Sequence, residues 1–264
     1  MDLQLQRQHV LISGGSKGIG LACAQAFLRE GAVVSLVSRQ AANLQQAQAA
    51  LRAEHAQARV HTHAADLTDP QQALAALDAA EAALGPVQVL VNSAGAARRT
   101  PVDELTPQAW ADAMQAKYLS YIHLIDPTIK RMAQRQSGVI LNIVGNGGKV
   151  ANPTHLAGGS ANAALLLASV GLANAYAARG VRVNAINPGL TLTERLQQGF
   201  AAEARMLGLS VEEVMQRALA KLPLQRFARP EEIADAVLFL ASPRASYITG
   251  VTLGMDGALY PTVV

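Results

Sequence analysis

The sequence predicts an α/β fold in which a doubly wound parallel sheet forms a single domain. Short runs of β-branched residues alternate with alanine-rich helical segments along most of the chain, which predicts right-handed β-α-β units. A glycine-rich turn directly follows the first predicted strand. Half of the 264 residues are hydrophobic and only 16% are charged, which is typical of a chain with a well-buried core. We therefore expect residues 1–264 to form one domain with helices on both faces of the sheet.

The elements follow one another in regular order. Hydrophobic runs bounded by turn residues predict strands at His9–Ser13, Val33–Ser38, Val60–Ala64, Val87–Asn92, Gly138–Val144, Val181–Asn187 and Thr252–Met255. The segments between them predict helices at Ile19–Arg29, Ala42–Ala56, Gln71–Leu84, Pro107–Arg135, Ala161–Arg179 and Pro230–Ala241. Three glycines lie just past helix ends, where a left-handed cap is usual: Gly31, Gly85 and Gly180.

The segment Thr193–Leu222 is the only long departure from this alternation. Insertions of this length often act as lids over a binding site. Its apolar residues include Met206, Leu207, Leu209 and Met215. They predict either an apolar lid over a hydrophobic small-molecule substrate or ordinary core packing.

Composition and charge exclude several classes of protein. The 22 basic and 19 acidic residues give a net charge of +3 without a Lys/Arg block, so we expect no nucleic-acid partner. The single cysteine, Cys23, cannot form an internal disulfide, and the N-terminus lacks the pattern of a signal peptide, which together favour the cytoplasm. The most apolar helical stretch, Ala163–Ala178, carries Ser169 and Asn174 and is too short to span a bilayer. We expect neither a membrane segment nor a metal site.

The glycine-rich turn Ser13–Gly20 has the features of a pyrophosphate-binding loop. Its glycines allow a sharp turn and a close approach of the backbone to an anion, and the helix that follows presents unpaired N–H groups. The residues predicted to contact the cofactor here are Gly14, Ser16, Lys17, Gly18, Ile19 and Gly20.

The end of the second strand predicts which dinucleotide is bound. Ser38 and Arg39 stand where an acidic residue would bind the adenosine ribose hydroxyls. Arg39 can instead pair with a 2′-phosphate, and Lys17 can approach the same group. The alternative is that both are solvated surface cations. We expect NADP(H) in preference to NAD(H).

Further candidate cofactor residues follow the other strands. Asp66 and Leu67 follow the third strand, where Asp66 either accepts from the adenine amino group or only forms a turn. Small residues after the fourth strand would let the chain pass close to the cofactor: Asn92, Ala94 and Gly95. After the sixth strand, a Pro-Gly turn and two threonine hydroxyls would hold the nicotinamide amide: Pro188, Gly189, Thr191 and Thr193.

These elements together resemble the classical short-chain dehydrogenase/reductase family, in particular its members similar to 3-oxoacyl-carrier-protein reductase. The resemblance covers essentially the whole chain. Beyond the glycine loop it is carried by Asn92-Ser93-Ala94-Gly95, Asn187-Pro188-Gly189, Arg229-Pro230-Glu231-Glu232-Ile233-Ala234, and Thr249-Gly250 with Asp256-Gly257. It implies a Rossmann-type sheet, a cofactor at the C-terminal ends of the strands, and a homotetramer built on the two long middle helices and the last strand.

The resemblance fails at the four positions where the family carries its catalytic asparagine, serine, tyrosine and lysine. Counting from Trp110 and from Asn142, these positions hold Lys117, Gly145, Gly158 and Asn162 in that order. The Tyr-x-x-x-Lys pattern is therefore absent. A positioned general acid contributes roughly 10²–10⁴ in rate, so a replacement or a different chemistry is needed.

Three residues are candidates for that replacement: Lys117, His155 and Ser160. Lys117 either supplies a positive charge to the site or is a surface lysine that extends into solvent. His155 either donates a proton or is a solvated loop histidine. We expect the Tyr118 side chain to point away from Lys117 on the helix and to pack against neighbouring residues.

The leading hypothesis is an NADP(H)-dependent oxidoreductase with a non-standard catalytic site, acting on a small carbonyl, imine or activated alkene. The alternatives are a catalytically inactive dinucleotide-binding protein, such as a cofactor sensor or an inactive subunit, and a non-redox enzyme on the same fold.

Overall fold

The computed structural model describes residues 1–95 and 100–261. The strands of these residues are β1 (His9–Ser13), β2 (Val33–Ser38), β3 (Val60–Ala64), β4 (Val89–Asn92), β5 (Gly138–Ile143), β6 (Val181–Pro188) and β7 (Thr252–Met255). The α-helices are α1 (Gly18–Arg29), α2 (Ala41–Glu54), α3 (Pro70–Leu84), α4 (Pro107–Ala113), α5 (Ser120–Gln134), α6 (Leu156–Ala177), α7 (Glu194–Leu207), α8 (Val211–Leu219) and α9 (Pro230–Ala241).

The strands form one seven-stranded sheet in the order β3-β2-β1-β4-β5-β6-β7, and every neighbouring pair is parallel. The strand order reverses beside β1, which is the doubly wound topology. The predicted single-domain α/β fold is confirmed. Because all strands are parallel, their C-terminal ends lie along one edge, where ligands bind in folds of this kind.

Helices cover both faces of the sheet and form two large cores. Along β1, Val10 and Ile12 face the core that contains α1, α2 and α9, whereas Leu11 faces the core that contains α3, α5 and α6. This alternation follows from the two-residue period of a strand buried on both faces.

The segment Thr193–Leu222 forms α7 and α8, which have a small core of their own. Phe200 and Phe227 stack there with ring centroids 5.5 Å apart. Leu209 and Met215 pack against this core, as expected for packing residues. Met206 and Leu207, in contrast, are 70% and 52% exposed.

Helix α6 differs from its prediction, because it begins at Leu156 and not at Ala161. Two adjacent glycines, Gly158 and Gly159, lie in the first turns of the helix. A Cβ atom on Gly159 would lie 2.7 Å from the carbonyl oxygen of Gly147, so close backbone packing requires glycine here.

The full length of α6 also corrects the expectation that it is too short to cross a membrane. With 22 residues it is long and apolar enough by length and composition, and it is the one such helix in the described part of the chain. Its buried face includes Asn162, Leu165 and Ser169, of which Leu165 packs in the core beside the sheet. This burial identifies it as a core helix.

The predicted helix Pro107–Arg135 is interrupted. The turn Met114–Leu119 between α4 and α5 is a π-helix. Single π-turns within helices are frequent at functional sites, and this one carries Lys117.

A buried row of polar side chains ties the middle of the sheet to α6. Ser13 donates to Asn92 (3.2 Å), Asn92 to Asn142 (3.0 Å), and Asn142 to Ser169 (2.9 Å). Ser169 then donates to the Leu165 carbonyl (2.7 Å). These side chains are at most 1% exposed, so each hydrogen bond replaces solvation that burial removes.

Candidate cofactor and active site

The glycine loop lies against the end of β4. Gly14 has a left-handed φ of 67°, and a Cβ atom there would lie 2.8 Å from the Cα of Ala94. A Cβ atom on Gly20 would lie 2.3 Å from the Gly14 carbonyl oxygen. Lys17 precedes α1 without a capping side chain, so the first N–H groups of α1 remain available to an anion. The loop fits a dinucleotide pyrophosphate.

The adenosine end of the predicted site lies beside β2. The Ser16 hydroxyl donates to the Ser38 hydroxyl (3.2 Å), which places both at the end of this strand. Arg39 follows and is exposed to solvent.

Lys17 forms an ion pair with the opposite wall of the site. Its Nζ contacts Glu194 in the first turn of α7 at 3.2 Å, across 177 positions of sequence. Both side chains are more than half exposed, and an ion pair of this kind contributes little stability. Lys17 therefore remains available for exchange with an incoming phosphate.

The residues after β3 and β4 turn their side chains towards the protein. Asp66 accepts from both the backbone N–H and the hydroxyl of Thr68, which is the turn-forming role. Leu67 is buried, and its carbonyl accepts from His123. Because the Asn92 amide belongs to the polar row, this position offers its backbone, and not its side chain, to the edge of the sheet.

The chain after β6 forms the opposite wall. A Cβ atom on Gly189 would lie 2.8 Å from the Cα of Asp256, beside Pro188 at the end of β6. Thr191 is buried and donates to the Gly189 carbonyl. Thr193 caps α7 by accepting from Leu196, and a Cβ atom on Gly18 would lie 3.3 Å from its methyl group. This wall therefore approaches the glycine loop.

Lys117 is buried at the same edge of the sheet. Only 7% of its surface is exposed, which rules out the surface-lysine interpretation. Its Nζ donates to the Tyr121 hydroxyl (2.8 Å) and to the Ile143 carbonyl (2.9 Å), and the Tyr121 hydroxyl donates to the same carbonyl (2.8 Å). The ammonium also lies 4.4 Å from the centre of the Tyr121 ring. The amine is thus fixed by three contacts.

Burial changes the protonation of this pair. It lowers the pKa of Lys117 to about 7, and the positive charge of Arg195 lowers the pKa further in the same direction. Burial also raises the pKa of Tyr121, and Arg195 offsets part of that change. Lys117 can therefore exchange a proton near neutral pH, whereas Tyr121 stays protonated and serves to hold the amine.

Arg195, in the first turn of α7, connects this wall to the end of β4. Its Nη1 donates to the Gly95 carbonyl at 3.1 Å. Gly95 in turn adjoins Lys117, because a Cβ atom on Gly95 would lie 3.4 Å from both Cα and Cδ of that lysine. Two cations therefore lie close to one another at this edge.

The backbone at Gly145 has a conformation that suits only glycine. Its φ is 117°, where an L side chain would be strained, so a serine does not fit this backbone without a rearrangement. The Gly145 N–H donates to the Asn187 side-chain oxygen (3.2 Å). A Cβ atom there would lie 3.7 Å from the Asn162 side-chain nitrogen, which brings Gly145 and Asn162 together.

The other two candidates are less favourably placed. His155 is half-buried and immediately precedes α6, and a Cβ atom on Gly147 would lie 3.0 Å from its ring. Ser160 is exposed on α6, although Gly158, two residues earlier, is buried. Tyr118 packs against the core, as predicted. Lys117, in contrast, is buried and its Nζ is held by two hydrogen bonds.

Residue pattern alone did not reveal Tyr121 and Arg195. A signal for Tyr121 was present, since residues four apart share one side of a helix. No such signal exists for Arg195, which is 78 residues from Lys117 in the chain and meets it only through the fold.

Comparison with known proteins agrees with this geometry. Residues 14–259 match the family described as Enoyl-(Acyl carrier protein) reductase. The chain is 35% identical to 2-(S)-hydroxypropyl-CoM dehydrogenase 3 of Xanthobacter autotrophicus, over 98% of this chain and 99% of that protein. The chain belongs to the short-chain dehydrogenase/reductase family. Another member of the family, D-threitol dehydrogenase of Mycolicibacterium smegmatis, is also 35% identical, over 97% of this chain and 94% of that protein.

Solved structures of the family share the whole fold. L-sorbose reductase from Gluconobacter frateurii, complexed with NADPH and L-sorbose, superposes with a TM-score of 0.93 at 29% identity over 100% of both chains. An NADPH-bound short chain oxidoreductase from Pseudomonas aeruginosa, described as containing an atypical catalytic center, has a TM-score of 0.88 at 32% identity. The match covers 97% of this chain and 98% of the Pseudomonas aeruginosa chain. The protein is an oxidoreductase of this family, and its NADPH-bound relatives support NADP(H) use.

Proposed function

We propose that the protein is an NADP(H)-dependent reductase of a small carbonyl compound in which Lys117 supplies the proton. The observation that carries this proposal is the buried Lys117 amine, held by Tyr121 and the Ile143 carbonyl, with a pKa of about 7. A group with a pKa near the working pH is the most effective general acid. The family positions of serine, tyrosine and lysine, which hold Gly145, Gly158 and Asn162, supply no comparable acid.

The nicotinamide cofactor would supply a hydride to the carbonyl carbon. The substrate oxygen then takes up a proton from the Lys117 ammonium, which yields an alcohol and a neutral amine. An ammonium has three N–H groups, and two of them bond to Tyr121 and Ile143, which leaves one for the substrate oxygen. Solvent returns the proton after product leaves. An imine or activated alkene needs the same hydride, but the presence of this acid favours a carbonyl.

Preference for NADP(H) over NAD(H) is supported by the exposed Arg39 after β2. Lys17 would add a second contact to the 2′-phosphate by leaving Glu194. A charge-assisted hydrogen bond contributes about 1.5–3 kcal/mol, so we expect Arg39→Gln to weaken NADPH binding roughly 10–100-fold. NADH binding should not change, and Arg29→Gln, an exposed arginine at the far end of α1, serves as the matched control.

Lys117→Met tests the catalytic role. NADPH oxidation with a panel of small ketones, aldehydes, imines and activated alkenes should fall roughly 10²–10⁴-fold in kcat, while NADPH binding stays unchanged. Lys130→Met is the control, since Lys130 is exposed and pairs with Asp126 on α5. Unchanged turnover in Lys117→Met would contradict the assignment. Binding of NADPH without turnover of any compound would favour a dinucleotide-binding protein that is not an enzyme.

The proposal extends to assembly and to the lid. Helix α6 exposes Leu167 (75%) and Val170 (45%) on the face opposite the sheet, which supports the homotetramer that the family resemblance implies. Helices α7 and α8 would form a lid over the substrate. The protein would be located in the cytoplasm. Size-exclusion chromatography with light scattering tests the tetramer, and a monomeric result would contradict it. Among the described residues, no group of His, Cys, Asp and Glu could hold a metal ion.

A further inference from the structure

We infer that Glu194 sets how strongly the protein prefers NADP(H), because it competes with the 2′-phosphate of the cofactor for Lys17. This inference rests on the proposed function, since it concerns the same phosphate. It begins from the ion pair between the glycine loop and the first turn of α7, in which Lys17 Nζ and Glu194 Oε2 lie 3.2 Å apart.

The two cations proposed to bind the 2′-phosphate stand at one junction. The Ser16 and Ser38 hydroxyls are hydrogen-bonded at 3.2 Å, so the glycine loop meets the end of β2 there. Lys17 follows the first serine, Arg39 follows the second, and both cations are exposed. The junction therefore offers two positive charges to a phosphate, which is the group that NADP(H) has and NAD(H) lacks.

Glu194 is held in position beside this loop. Thr193 caps α7 with its side chain, and a Cβ atom on Gly18 would lie 3.3 Å from the Thr193 methyl group, so α7 begins against the glycine loop. The Oε1 atom of Glu194 accepts from Gln198 at 3.2 Å, while Oε2 contacts Lys17. A carboxylate in the first turn of a helix also interacts favourably with the helix dipole. Glu194 therefore presents its negative charge to Lys17.

The carboxylate and a phosphate would compete for the same ammonium. The charge of Glu194 offsets that of Lys17, and it would repel a phosphate that approaches the lysine. Binding of the 2′-phosphate to Lys17 must therefore weaken the ion pair. The two side chains are 56% and 59% exposed, and exposed pairs are weak, so removing the carboxylate should tighten phosphate binding only roughly 1.5- to 5-fold.

Fluorescence titration of the full chain with NADPH and with NADH, at low ionic strength, tests the role of Glu194. The titration measures binding, so it does not depend on turnover. We expect Glu194→Gln to bind NADPH roughly 1.5- to 5-fold more tightly and NADH with unchanged affinity. In a Lys17→Met background, Glu194→Gln should no longer tighten NADPH binding, because no ammonium remains to be released. Glu203→Gln, at an exposed glutamate of the same helix, is the control for net charge and should change neither affinity.

Four results would overturn the inference. They are unchanged or weaker NADPH binding in Glu194→Gln, an equal gain for NADH, an equal gain in the Lys17→Met background, and an equal gain in Glu203→Gln. Arg39→Gln tests the proposed cofactor preference separately. If Arg39→Gln weakens NADPH binding and Glu194→Gln has no effect, the role of Glu194 fails and the preference stands; if Arg39→Gln has no effect, the preference assigned to Arg39 fails.

Discussion

Replacing Lys117 by methionine should abolish a pH dependence of stability that the wild-type protein shows between pH 7.0 and 8.5. The folded-state pKa of Lys117 is about 7, against an ordinary 10.5, because burial disfavours the charged amine. Over this interval the unfolded chain therefore binds more protons than the folded protein, so that the free energy of unfolding rises with pH. Methionine has a similar shape and no charge.

The magnitude follows from the pKa. One proton of difference contributes about 1.4 kcal/mol per pH unit, or about 2 kcal/mol over this interval. The folded amine is only half deprotonated at pH 7, which reduces the expected gain to roughly 1–2 kcal/mol. Lys117 is 7% exposed, so water screens the effect little. The pH interval ends at 8.5 because Cys23 acts in the opposite direction at higher pH. Burial raises the pKa of its thiol to about 12, so above pH 9 the thiol lowers the free energy of unfolding as the pH rises.

Urea unfolding of the cofactor-free protein, followed by circular dichroism at both pH values, measures this gain. Lys117→Met should lack it, and should also be the more stable protein at pH 7.0 because no buried charge remains. Lys130→Met, an exposed lysine, should behave as the wild type does. An equal gain in wild type and Lys117→Met would refute the buried, readily deprotonated amine.

Three further predictions concern the scaffold. Ser169→Ala leaves the Asn142 amide without its acceptor and should lower the free energy of unfolding in urea by about 1–3 kcal/mol. The control Ser137→Ala, at an exposed serine, should lower it little. Equal losses in the two variants would contradict the role of the polar row. Burial lowers the pKa values of His9 and His61, so stability should fall as pH drops below about 6.5, and less steeply in His9→Gln; identical profiles would contradict this. Gly14→Ala should displace the glycine loop from Ala94 and weaken NADPH binding in a fluorescence titration, unlike Gly199→Ala, which meets no atom within 4 Å; unchanged affinity would contradict the close approach.

Elements governed by local patterns were predictable from the sequence. Strands β1, β2, β3 and β7 and helix α9 have the predicted bounds, because buried strands and a capped helix have clear local signals. Helix α6 shows where this fails. Glycine has a low helix propensity, so local pattern does not predict helix at Gly159, whereas close packing against Gly147 requires glycine within the helix there.

The candidate site was predicted in its residue types but not in its connections. The position of Lys117 at the site was implied by the family resemblance, whereas its burial and its hydrogen bond to Ile143 depend on how the π-helix Met114–Leu119 lies against the end of β5. The contacts of Lys17 with Glu194 and of Arg195 with Gly95 join residues 177 and 100 positions apart. Contacts of this range depend on the fold and leave no local pattern.

The pH dependence of kcat/KM for carbonyl reduction by NADPH tests the role of Lys117 most directly. Because a general acid must be protonated, the wild-type value should be constant below pH 7 and fall about tenfold per pH unit above it. Lys117→Met should be roughly 10²–10⁴-fold slower and should lose this fall. A Lys117→Met variant with the wild-type rate and the wild-type pH profile would contradict the assignment of Lys117 as the proton donor.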